Sequence, residues 1–244
     1  DLHKIVDRCG QAGVEWLAVK AGDSTPNGQV TKELVQTLHD GGLWVAGWYY
    51  SVPGAGPIGN QVAMAKALAE MGCDGVLVDA EEWWEKPPTT GWADPNKPGR
   101  AAEALQYALM LRQAVGDGVC LADCGAWQWP RFHPLFPDNE FGQVFDARMP
   151  ELYWTEFSAQ TSCQKALEES DREWEAMPDV SKPELIRIGS AFDGKQLCTR
   201  DDLMTFLSRY GNDPALALWS WQHMELLTKR WDVWQTLADW SNTP

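Results

Sequence analysis

Long apolar runs are missing from this 244-residue chain. Nothing in it approaches the roughly 18 to 20 consecutive apolar residues that cross a bilayer, so membrane insertion is not expected. Basic residues are also few, 20 Lys and Arg against 35 Asp and Glu, and the formal net charge is −15. Phosphate recognition draws its affinity from clustered Lys and Arg, and without such a cluster nucleic acid is not an expected partner. Four histidines give no second well-spaced metal ligand. Carboxylates with His223 are the set that would have to hold a divalent ion, and neither a metal nor a cofactor is expected. No G-x-S-x-G elbow and no glycine-rich phosphate loop occurs, so serine hydrolase and nucleotide chemistry recede. The six cysteines, Cys9, Cys73, Cys120, Cys124, Cys163 and Cys198, show neither paired C-x2-C elements nor the density of a small disulfide framework. They read as buried thiols, with one or two disulfides left open. The opening Asp1-Leu2-His3-Lys4-Ile5 is neither a signal peptide nor an initiator methionine. A soluble single domain over 1–244 is expected, covalently linked to further domains of a longer protein.

Tryptophan is abundant, at fifteen residues. Indoles at strand ends make platforms for sugars, whereas indoles on helices mostly pack. Trp16, Trp44, Trp174, Trp231, Trp234 and Trp240 fall in or beside predicted elements and are read as packing residues. Trp48, Trp83, Trp84, Trp92, Trp127, Trp129, Trp154, Trp219 and Trp221 fall at strand ends or in the loops that follow.

The periodicity alternates. Leu2, Ile5, Val6 and Cys9 have helical spacing, and a strand over Glu15–Lys20 leads to a helix over Thr31–His39. Six more strand-helix units follow. Their strands are Leu43–Tyr50, Gly75–Glu81, Val119–Asp123, Glu151–Thr155, Glu184–Gly189 and Ala215–Trp221. Their helices are Gln61–Met71, Ala101–Val115, Asn139–Ala147, Ser162–Ala176, Asp201–Tyr210 and Leu226–Trp240. Such alternation implies parallel strands with right-handed crossovers, and this many units in about 240 residues predicts a (β/α)8 TIM-like barrel over an open doubly wound sheet. Seven strands are visible. The first strand of eight is missing from this chain or lies upstream of it.

A barrel builds its site from the loops after its strands. The apolar run Gly75-Val76-Leu77-Val78 ends in Asp79-Ala80-Glu81-Glu82 and then Trp83-Trp84. Residues two apart share one face of a strand, so Asp79 and Glu81 stand on the same side with α-carbons about 6.6 Å apart. One carboxyl that gives a proton and one carboxylate that attacks, activates water or stabilises positive charge is what glycoside hydrolysis needs. The spacing supplies the pair without choosing between retention and inversion. The competing reading is structural, since an acid at a strand end can cap the next helix or pair with Lys or Arg, above all at Glu82, Asp123 and Asp193.

The order Leu17-Ala-Val-Lys20-Ala-Gly, Gly42-Leu-Trp-Val-Ala-Gly47-Trp-Tyr-Tyr50, Val76-Leu-Val-Asp79-Ala-Glu81 and Leu218-Trp219-Ser-Trp221-Gln222 resembles the barrel of glycoside hydrolase family 25, the muramidase-type lysozymes of phages and bacteria. The resemblance implies that Glu81 is the proton donor and Asp79 its partner. It places Trp48 to Tyr50 on the aromatic strand before them and Trp219 to Gln222 on the closing strand. It also implies a functional Asp on the first strand and a further one near the sixth, where this sequence offers Glu156. The long aromatic insertion from Glu82 to Pro98 departs from the family and puts peptidoglycan as substrate in doubt.

The expectation is therefore a glycosidase acting on a cell-wall or other polysaccharide, with Glu81 and Asp79 catalytic. Trp48, Tyr50, Trp83, Trp84, Asp123, Trp127, Trp154, Glu156, Trp219, Trp221 and Gln222 would contact the substrate. An extracellular, cell-wall or virion location goes with it. The competing expectation is a noncatalytic carbohydrate-binding or virion and envelope structural barrel that kept the indoles and lost part of the acid set.

Overall fold

The computed structural model describes residues 2–85, 100–126, 133–157, 161–177, 183–213 and 215–242. Helix α1 (Leu2–Ala12) is followed by β1 (Trp16–Gly22), α2 (Lys32–Asp40), β2 (Trp44–Ser51), α3 (Ala55–Glu70) and β3 (Gly75–Ala80). Then come α4 (Ala101–Val115), β4 (Cys120–Ala126), α5 (Asp138–Gly142), β5 (Ala147–Leu152) and α6 (Cys163–Ala176). The chain closes with β6 (Glu184–Leu185), β7 (Arg187–Ser190), α7 (Arg200–Tyr210), β8 (Leu216–Trp219), α8 (Trp221–Leu227) and α9 (Val233–Ser241).

The strands form one parallel sheet in the order β1-β2-β3-β4-β5-β7-β8, with the short β6 on β5 just ahead of β7. Helices cover its outer face, α1 lying against α2 and α9, and α3 against α4. This is a (β/α)8 TIM-like barrel, open along one seam: among the described residues β8 and β1 do not pair, and the Trp16 indole crosses between them to donate to Leu216 O at 3.1 Å.

Alternation along each strand divides the side chains into two layers. Ala46, Leu77, Ala122, Ala147, Met149 and Ile188 fill the inside. Val45, Val76, Val78 and Leu121 point outward and pack with Leu68, Tyr107 and Leu111 of the helices. The indole of Trp44 lies where a Gly75 side chain would be, which holds that position to glycine.

Element types agree with the sequence reading, and several boundaries do not. The fifth strand begins at Ala147, not Glu151, and carries Pro150 within it. Proline has no N–H to give a ladder, and the break between β6 and β7 falls beside Met149-Pro150. The predicted helix Asn139–Ala147 is the single short α5. The predicted closing helix Leu226–Trp240 is two helices, because Asp232 accepts from Gln235 N at 3.0 Å and starts a new one.

Candidate active site

Inward positions at the upper ends of the strands bring three acids together. Asp79 is the last inward residue of β3, and Glu81 follows it in extended conformation. Glu151 is the last inward residue of β5. One carboxylate oxygen from each of Asp79, Glu81 and Glu151 lies within 4.8 Å of the others. Glu81 stands beside the Tyr50 hydroxyl and Glu151 beside that of Tyr153, and burial first, then these acids, raises both phenols.

Burial, then the charge of Glu81, pushes the Asp79 carboxyl up to about 7, with Lys20 working in the opposite direction. Burial, then Asp79 and Glu81, raises Glu151 well above the usual carboxylate range. Three carboxyls this close do not all ionise together near neutral pH, and the protons they lose belong to the cluster as a whole. The site therefore holds an exchangeable proton beside a carboxylate, the condition for acid-base chemistry.

Asp79 also gives the fold a measurable pH dependence. Its folded-state value of about 7 stands above the ordinary 3.8, so the folded chain keeps a proton that the unfolded chain releases. That contribution is fully present below about pH 4, is lost as the pH rises through about 7, and becomes a constant penalty above it. Asp79→Asn removes the penalty. It is expected to stabilise the protein by about 2–4 kcal/mol at pH 8 relative to pH 4, read from urea midpoints at the two pH values.

The acids sit in a cavity of about 550 Å³ whose wall includes Trp48, Tyr153 and Trp219. Trp48 and Trp219 meet edge to face, with centroids 5.1 Å apart. Lys20 Nζ lies 4.9 Å from the Trp48 ring centroid and pairs with Asp23 at 2.9 Å. Rings of this kind, beside acids, fit the apolar faces of a sugar. The three carboxylate oxygens are also a hard donor set that fits a divalent cation. His223 is outside that set, held instead by Ser220 Oγ at 2.8 Å with Phe192 beside it.

The structure does not bring together every residue nominated from sequence. Trp48, Tyr50, Asp79, Glu81 and Trp219 converge on the barrel mouth, and Trp83 is 45% exposed just beyond Glu81. Trp84 is placed elsewhere: it is fully buried among the helices, stacked on Tyr107 at 5.2 Å, with its indole donating to Ser51 Oγ at 3.1 Å. Asp123 points outward from β4 into a buried ion pair with Arg148. Trp154 points away from the mouth and packs on Phe206. Glu156 is exposed at the end of a 3-10 turn. Trp221 opens α8 and packs on Trp234, with Gln222 exposed beside it. Trp127 lies outside the described residues.

The third acid of the cluster is Glu151 of β5, a residue that the sequence reading does not nominate, offering Glu156 instead. The signal was the alternation Ala147, Met149, Glu151, Tyr153. Pro150 interrupts it, and the strand was started four residues late.

No protein-family model matches the sequence, and no curated protein does. Solved structures do resemble it in fold. A chitinase from Rhizomucor miehei superposes with a TM-score of 0.61 at 14% identity, over 96% of this chain and 94% of that one. The xylanase and alpha-amylase inhibitor protein XAIP-II from Scadoxus multiflorus gives 0.58 at 13% identity, over 98% and 91%. The C-terminal domain of a putative chitinase from Desulfitobacterium hafniense gives 0.58 at 9%, over 91% and 77%. At these identities the likeness establishes the barrel. These three are a chitinase, a putative chitinase domain and an inhibitor, and the family 25 resemblance gains nothing specific from them.

Proposed function

We propose that this barrel hydrolyses glycosidic bonds of a polysaccharide, from the cell wall or a related glycan, with Glu81 as proton donor. The observation that carries the reading is the carboxyl cluster of Asp79, Glu81 and Glu151 at the mouth of a cavity walled by Trp48 and Trp219. A sugar ring laid on the indoles would bring its glycosidic oxygen toward Glu81. Glu81 delivers to that oxygen the proton that the cluster shares, as the bond to the anomeric carbon breaks and the electron pair leaves with the oxygen. The ionised members of the cluster stabilise the positive charge left on the sugar, Asp79 as electrostatic or nucleophilic partner. Water then adds to the anomeric carbon, and Glu81 recovers its proton from it.

Oxygens within 4.8 Å of one another are nearer the about 5–5.5 Å carboxyl separation of retaining glycosidases than the wider gap of inverting ones, which favours retention of anomeric configuration. The test is release of reducing ends from purified peptidoglycan and from soluble N-acetylglucosamine oligosaccharides. Proton NMR of the first-formed product is expected to show the retained anomer. Trp48→Ala is expected to weaken glycan affinity by about 10-fold or more, in line with the about 1–3 kcal/mol that stacked aromatic contacts contribute, as measured by calorimetric titration.

A second reading, a noncatalytic glycan-binding or virion and envelope barrel, draws support from the inhibitor protein among the similar folds. Glycan binding lost in Trp48→Ala, with no turnover in the parent, would select it.

A further inference from the structure

Hydrolysis of a glycosidic bond uses two carboxyls, and this site brings three together. The strand register places the third. Asp79 pairs with Cys124 and Cys124 with Met149, so Asp79 and Met149 stand at one level of the barrel. Glu81 and Glu151 each lie two residues further along and share the level above. β4 runs between them, which puts their backbones two strand spacings apart, about 9.6 Å along the sheet. Their carboxylate oxygens nonetheless lie within 4.8 Å of each other and of an Asp79 oxygen. The three side chains lean toward a common centre.

That centre has the dimensions of a charged nitrogen. Three points within 4.8 Å of one another all lie within 4.8/√3, about 2.8 Å, of one position. A hydrogen bond from a charged nitrogen to a carboxylate oxygen measures about 2.7–2.9 Å, and an ammonium carried on one carbon has three N–H donors. Asp79 Oδ1 is buried without a hydrogen-bond partner among the described residues, an acceptor that such a donor would satisfy. Lys20 does not take the place. Its charge reaches Asp79, but its ammonium is held by Asp23 at 2.9 Å beside the Trp48 ring.

A divalent ion suits the centre less well. Calcium takes about six to eight oxygens and magnesium about six, whereas the wall next to the acids is Leu77, Met149, Trp48 and Trp219. The carbons of a sugar ring match that wall. In a 2-amino sugar the nitrogen sits on the carbon next to the anomeric one, so a ring placed with its anomeric carbon against the acids brings its nitrogen within their reach. The formal charge of −15 draws ligands of the same sign toward the chain. Resting on the glycosidase reading above, we propose that the substrate is a glycan of 2-amino sugars whose amino groups are free and charged, and that Glu151, with Asp79 and Glu81, holds the ammonium of the sugar at the bond to be cut. An N-acetyl group in the same place has one N–H, no charge and a methyl group set against carboxylates.

Calorimetric titration at pH 6, below the about 7.7–8.0 of an α-amino group, compares the β-1,4-linked pentasaccharides of glucosamine, N-acetylglucosamine and glucose. The glucosamine pentasaccharide is expected to bind about tenfold or more tightly than the other two. In Glu151→Gln this advantage is expected to shrink to about twofold or less, while Glu156→Gln, whose acid is exposed outside the cluster, keeps it. Equal affinities in the parent would overturn the proposal. An advantage kept in full by Glu151→Gln would also overturn it, tracing the preference to the acidity of the whole chain. Should Glu151→Gln fail to fold, Asp79→Asn is read in the same way. Calcium at about 5 mM, above the about 10⁻³ M of weak protein sites, should displace the amino glycan no more than sodium chloride of the same ionic strength does. Stronger displacement would assign the centre to a metal and overturn the proposal. Reducing ends measured in the same mixtures report hydrolysis separately. Their absence with all three glycans would end the hydrolase reading, and the order of affinities would still decide this one.

Discussion

Glu81→Gln is expected to lower glycan turnover by about 10²- to 10⁴-fold while leaving glycan affinity within about threefold. The change keeps the shape of the side chain beside the Tyr50 hydroxyl, and it removes the transferable proton. Its effect should therefore fall on kcat and not on binding. Glu156→Gln serves as the comparison, since that exposed carboxyl stands outside the cluster and its loss should leave turnover unchanged. Initial rates on soluble oligosaccharides, with calorimetric titration of the same ligand, check both. Full turnover in Glu81→Gln would remove the donor role from Glu81. A parent without turnover would remove the glycosidase reading altogether.

The Asp79 and Glu81 arrangement was legible because an apolar run of four residues fixes the strand and period two then places both acids on one face. Glu151 obeys the same period, but Pro150 inside β5 hid the strand that carries it. The side of Asp123 was harder for a different reason. A one-residue change of phase sends every side chain of a strand to the other face, and it is Ala122 and Cys124 that point inward. Trp84 was out of reach of any periodicity, since it closes a single 3-10 turn whose orientation is set by Tyr107 and Phe141 on helices distant in sequence. The open seam was foreshadowed by the strand count alone, although the position of the gap needed the order β1-β2-β3-β4-β5-β7-β8.

Asp123, read from sequence as a substrate contact, is expected to act through stability instead. Its carboxylate and Arg148 are both fully buried. The guanidinium donates to Asp123 Oδ2 from Nε at 3.1 Å and from Nη2 at 3.0 Å, and Nη2 also lies 2.8 Å from Asp138 Oδ1. Burial pushes both carboxyls up, Asp138 to about 6, and Arg148 pulls both down. For both, desolvation is the larger effect. Such a pair adds little over apolar residues of the same volume, yet breaking it strands a charge. Asp123→Ala leaves Arg148 without its main counter-charge in the outer core and is expected to cost about 3–5 kcal/mol, a fall in thermal midpoint of about 10 °C. Combining Asp123→Leu with Arg148→Met removes both charges, and Asp138, with a side chain 20% exposed, retains access to water. That double variant is expected to recover most of the loss. Calorimetric midpoints for the three proteins decide the matter, and a single variant as stable as the parent would show that the pair is not what holds β4, β5 and α5 together. Because Asp123 faces away from the acid cluster, turnover per folded molecule should be unchanged in the single variant at temperatures below its midpoint, which separates this role from a catalytic one.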